Sequence, residues 1–166
     1  MSAAPLLSFC QWLQDTAFST SIRQSLWLFP AIETTHVLCL ALSVGTIALV
    51  DLRLVGLALK KQTVSEVSRQ LLPWALGGFA IMVATGLLLF SSLPMKCYAS
   101  VFFRTKMALL LLAGANALFY QFRLYPRMSE WDDLAKPPLP VRMVGALSLL
   151  LWIGVIAAGR NMAYRF

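Results

Sequence analysis

Charge is what this sequence has least of. Only 13% of its 166 residues are Asp, Glu, Lys or Arg, against roughly 25% in a soluble domain. With 59% hydrophobic residues and a mean hydropathy of +0.73, the chain has too few polar groups to dress a water-facing surface, and a soluble globular class is excluded. Histidine is nearly absent too. His36 is the only one, so no centre needing two imidazoles from a single chain can form. The three cysteines, Cys10, Cys39 and Cys97, follow no Cys-x-x-Cys or Cys-x-x-Cys-His spacing, which excludes zinc ribbons and attached c-type haem. A basic n-region is missing before the short apolar patch of MSAAPLLSFC, and Phe9 stands where a cleavage site wants a small residue, so a retained N-terminus is expected. No internal repeat is apparent, and KPPLP is the one low-complexity stretch.

What is present is four long apolar runs. Each holds about the 20 residues that cross a bilayer, over about 30–52, 72–93, 103–123 and 141–160. Residues 5–18 are too short to span; they place Leu6, Leu7, Phe9, Cys10, Leu13 and Ala17 on one stripe beside Trp12, the pattern of an amphipathic helix on the membrane surface. Short polar links join the runs, among them KKQTVSEVSRQ and the proline-rich PRMSEWDDLAKPPLP. The fold class predicted is all-α: one membrane domain over 1–166, an antiparallel four-helix bundle with a surface helix at its N-terminus. Gly77, Gly78 and Gly86 in the second run suit close helix approach, and Asn116 in the third suits an interhelical hydrogen bond.

The net charge of +7 suits anionic lipid head groups, because the basic residues flank apolar spans; nucleic acid is not an expected partner. Counted with the span-end residues Arg53, Arg123 and Arg142, the links at 54–71 and 126–140 carry eight Lys and Arg against six on the other side. That asymmetry puts these links in the cytoplasm and both termini in the periplasm of a bacterial inner membrane. On that topology Cys10 and Cys97 share the oxidising side and are open to bridging, while Cys39 is buried in the first span. Asp51, Arg53 and Arg123 should meet at the opposite side as an interfacial ion-pair cluster.

Ionisable groups inside a span are costly and mark candidate sites. Glu33 and His36 stand three apart on one helix face, where a carboxylate and an imidazole can reach one metal or one proton path. A metal held by His36 and Glu33 with a thioether from Met95, Met107 or Met162 would suit copper. Haem b is the other cofactor considered, with His36 as an axial ligand and Gly86, at about the same depth by a rise of ~1.5 Å per residue, leaving room for a flat ring. A plain structural reading pairs Glu33 and His36 with Arg104, Lys106 or Arg160 and assigns them to helix packing.

The segments WLFPAIETTHVL, VGTIALVDLRLVGL, LLPWALGGF with TGLLLF, FFRTKMALLLLAGANALF, YPRMSEWD and GRNMAY cover nearly the whole chain. Together they resemble a family of small uncharacterised bacterial inner-membrane proteins with four spans, a resemblance that implies architecture and not activity. That pattern often has histidine where this chain has Tyr120, a departure that counts against any role needing two histidines. The functional expectation is a non-catalytic accessory membrane subunit, holding a haem or metal near the outer face and contacting the bilayer, other membrane subunits or itself. The alternative is a scaffolding membrane protein without cofactor.

Overall fold

The computed structural model describes residues 4–132, 134 and 136–164. Among these residues seven α-helices follow one another: α1 (Ala4–Asp15), α2 (Ala17–Gln24), α3 (Leu28–Val55), α4 (Val64–Ser92), α5 (Pro94–Ala99), α6 (Val101–Phe119) and α7 (Leu139–Tyr164). There is no strand among the described residues. Helices α3, α4, α6 with its continuation, and α7 are each long and apolar enough to cross a membrane. Most of their apolar surface faces outward, as a lipid solvent requires and water would forbid.

Local chemistry sets where these helices start and stop. Thr63 opens α4: its hydroxyl accepts from the Glu66 N–H at 3.2 Å, and the Glu66 carboxylate accepts from the Thr63 N–H at 2.9 Å. This capping box starts α4 at Val64, well before the expected Leu72, and leaves Pro73 inside the helix. Gly56 ends α3 with a positive φ of 83°, the left-handed conformation a side chain would resist. The third span does not finish as α-helix. Past Phe119 it widens into a π-helix over Tyr120–Leu124, then tightens into a 3-10 helix over Tyr125–Glu130.

The four long helices pack antiparallel in the spatial order α4, α3, α7, α6. Close approach of α3 to α4 runs through Gly78, where an added Cβ would stand 3.2 Å from the Cys39 carbonyl oxygen; beside it the buried Ser43 hydroxyl donates to the Ala75 carbonyl at 2.9 Å. Gly145 does the same for α3 and α7, with its missing Cβ only 2.9 Å from Leu54 Cβ. Asn116 Nδ2 donates to the Val144 carbonyl at 3.1 Å and joins α6 to α7, the interhelical bond anticipated for it. The remaining neighbours, α4 and α6, meet through stacked Phe90 and Phe103, with ring centroids 5.6 Å apart, and otherwise barely touch.

One end of the helices is capped by the N-terminal segment. The single surface helix expected over 5–18 is in fact two, because Thr16 breaks the run and its hydroxyl accepts from the Ser19 N–H to cap α2. Helix α1 packs on α5, while the Ser19 hydroxyl donates to the Ser91 carbonyl at 2.6 Å and Arg23 Nη1 to the Ser92 carbonyl at 3.3 Å. These bonds satisfy carbonyls at the C-terminal end of α4 that lack an intrahelical partner. The opposite end is closed by a small core of Leu54, Val64, Met128, Trp131 and Val141. There Asp132 accepts from the Ser65 N–H at 2.9 Å and from the Ser65 hydroxyl, which ties the last link to the start of α4.

Candidate functional site

The geometry around His36 is that of a packed, hydrogen-bonded side chain. Its Nδ1 lies 3.0 Å from Thr85 Oγ1 on α4. The Thr85 hydroxyl directs its proton to the Ile81 carbonyl at 2.8 Å, which places it to accept from the imidazole, and the ring also bonds the Met82 backbone. Gly86 and His36 are level, as helix rise indicates, and an added Cβ at Gly86 would stand 3.2 Å from His36 Cε1. The room provided by Gly86 is thus taken by the imidazole itself. Glu33 and Met107 are both exposed on the helix surfaces. No group of three His, Cys, Asp or Glu side chains placed to hold a metal occurs among the described residues. Of the basic residues considered as partners for His36, Lys106 is an electrostatic neighbour, and Arg104 is exposed.

Cys10 and Cys97 are brought together under the cap. Both are buried free thiols, on the packed pair α1 and α5. Burial pushes the Cys97 thiol up to about 11; Lys106 pulls it back in part, and Cys10 adds a smaller push.

The other half of the molecule holds a cavity of ≈ 590 Å³, walled by α3, α4, α6 and α7. Its lining is mostly apolar, with two aromatic pairs: Phe79 edge-on to Trp152 at 6.4 Å, and Tyr120 edge-on to Tyr125 at 6.3 Å. Into this wall project Asp51, Ser68, Tyr120 and Ser148. Asp51 is 5% exposed and accepts a hydrogen bond from Ser148, yet its Oδ2 is buried with no partner. Ser68 Oγ and Tyr120 Oη are buried and unpaired as well. Three orphaned polar atoms on one apolar wall are exceptional, because most buried polar atoms are satisfied. The π-helix begins at Tyr120, whose carbonyl accepts from the Tyr125 N–H; such widened turns recur at functional sites.

The expected ion-pair cluster of Asp51, Arg53 and Arg123 does not form. Arg53 is 2% exposed and donates from Nε to the Gln62 carbonyl at 2.7 Å and from Nη2 to the Leu134 carbonyl at 3.3 Å, while Arg123 is exposed. Two residues apart on a helix, Asp51 and Arg53 point in different directions, one into the cavity and one into the closing core.

A model of a family of unknown function, DUF6644, matches residues 12–165, nearly the entire chain. The chain belongs to that family. No curated protein and no solved structure matches it. For this DUF6644 member the family assignment names no activity, and the site must be argued from its own residues. Asp51, Ser68 and Tyr120 were open to notice before the fold: each is a polar group near the end of an apolar run. Their convergence was not, since it depends on where α4 begins and on the π-turn that sets Tyr120.

Proposed function

We propose that this DUF6644 member is a multi-pass membrane protein that binds, without transforming, a lipophilic molecule in the cavity between its long helices. The observation that carries this is the set of unpaired buried atoms on an apolar wall, Asp51 Oδ2, Ser68 Oγ and Tyr120 Oη. Each unmet polar group costs about 1–3 kcal/mol, and a lipid tail lying in the cavity would leave all three unmet. A ligand with an apolar body and a polar end satisfies both kinds of surface. The cavity volume of ≈ 590 Å³ falls inside the ordinary range of about 300–1,000 Å³ for small-molecule sites. The small Lys and Arg excess on the 54–71 and 126–140 links taken together with Arg53, Arg123 and Arg142 at the adjoining span ends supports placing the cavity end on the cytoplasmic side of a bacterial inner membrane, with both termini periplasmic. The outward apolar faces support contact with lipid, and with other membrane subunits or a second copy.

The test is mass spectrometry of molecules extracted from protein purified gently out of native membrane. A small molecule should accompany the wild type at near-stoichiometric level and be lost from a Tyr120→Phe, Asp51→Leu double variant that still melts cooperatively. Recovery of the same bulk lipids from both proteins would sink the proposal.

A second reading keeps a haem or copper at His36, with Glu33, Gly86 and Met107 around it. What supports it is the bond between Nδ1 and Thr85, of the kind that orients a ligating imidazole. A Soret band or bound copper that disappears in His36→Ala would establish it. Purified protein that is colourless and copper-free would favour the cavity or a scaffolding role.

A further inference from the structure

We infer that the molecule held in the cavity is a lipophilic cation, its positive centre against Asp51, and that it reaches the site sideways from the bilayer between α4 and α6. This rests on the cavity-binding reading and adds the charge and the route.

The charge follows from what the wall contains and what it omits. Among the described residues Asp51 is the only Asp, Glu, Lys, Arg or His on it, and none of them brings a cation to the cavity wall. The nearest candidate along the chain, Arg53, does not line the cavity: it donates from Nε and Nη2 to the Gln62 and Leu134 carbonyls in the closing core, with its buried Nη1 left unpaired. An anionic head, whether phosphate or fatty-acid carboxylate, would meet Asp51 with no counter-charge, so ordinary phospholipids and fatty acids are poor occupants. A neutral head would pair with Asp51 only in its protonated form, whereas a cation is the occupant that pairs with the ionised carboxylate. A cation carried on an apolar body supplies the missing charge, and the rings of Phe79, Trp152, Tyr120 and Tyr125 offer it aromatic surface, the setting in which cations gain from ring quadrupoles.

The route follows from packing. Helices α4 and α6 touch at Phe90 and Phe103, toward the capped end, and diverge along the half that holds the cavity. On the α6 side Gly114 lines the cavity, and an added Cβ there would find nothing within 4 Å. A side chain at Gly114 therefore starts in open space, which makes this the position at which to plug the cavity.

The test compares two ions of matched shape and opposite sign, tetraphenylphosphonium and tetraphenylborate, bound to protein in nanodiscs of zwitterionic lipid. Tetraphenylphosphonium should bind saturably above the empty-nanodisc background, and tetraphenylborate should not. Asp51→Asn should weaken tetraphenylphosphonium by about tenfold or more, the scale of losing one partner of a buried charge pair. Gly114→Leu should abolish saturable binding while keeping the wild-type melting profile. Equal binding of the two ions, or no response to Asp51→Asn, would overturn the cationic assignment. If neither ion binds but an Asp51-dependent neutral molecule copurifies, this inference falls and the cavity-binding reading stands; if nothing Asp51-dependent copurifies either, both fall.

Discussion

Of the ionisable side chains on α3, His36 and Asp51 lie roughly 20 Å apart along the axis at ~1.5 Å per residue. The first is accommodated: Nδ1 bonds Thr85, the ring rests against Gly86, and a cap of short helices covers that end. The second is half-accommodated, with one carboxyl oxygen bonded to Ser148 and the other left bare on the wall of an apolar cavity. An ionisable residue in a span is therefore a weak pointer to function by itself. What separates packing from a binding site is whether its polar atoms are already spoken for.

Stability should separate the two ends most sharply. His36→Ala removes the bond to Thr85 and opens a void beside Gly86, and is expected to cost about 1–3 kcal/mol in a reversible thermal or denaturant melt of the purified protein. An unchanged melt would show that His36 does not hold α3 to α4. At the other end Tyr120→Phe deletes an unpaired buried hydroxyl, so ligand-free protein should melt within about 0.5 kcal/mol of wild type or gain up to about 1 kcal/mol. A loss of comparable size to that of His36→Ala would mean that the hydroxyl has a structural partner, and would erase the contrast.

The smallest effect concerns the cap. Because burial raises the Cys97 thiol from its usual 9.0 to about 11, its neutral form is favoured in the folded state. The contribution of this group to stability is complete below pH 9 and is lost as pH rises through about 11. Alkylation of folded protein should accordingly be slow at pH 8 and climb toward pH 11, whereas unfolded protein should already be near its plateau by about pH 9 to 10. A folded-state profile coinciding with the unfolded one would show that the cap is open to water.

Much of the architecture was readable before any coordinates, since four apolar runs with few charges admit little besides membrane helices, and the small residues Gly78 and Gly86 mark real close approaches. Counting rise along two antiparallel helices even put Gly86 level with His36. The opening of α4 was legible and missed: Thr63 and Glu66 have the spacing of a capping box, but the polar run KKQTVSEVSRQ reads as a link when hydropathy alone is weighed. The cavity was beyond reach. It exists because α4 and α6 part company while α3 and α7 are drawn together at Gly145, and the relative splay of helices far apart in sequence leaves no periodic trace. Asp51 likewise read as an interfacial charge because it stands near the end of an apolar run; only the crossing of α7 brings Ser148 to it and encloses it.

The bond between Ser19 and Ser91 joins residues 72 positions apart, and it imposes an order of events during synthesis. At about 5–20 residues per second, α2 leaves the ribosome several seconds before the carbonyl it will bind exists. For that interval α1 and α2 have no partner but the lipid surface, where the outward Leu6, Phe9, Trp12 and Phe18 can wait. The N-terminal segment is made first and seated late. Its docking reports that the second span has been delivered to its full depth.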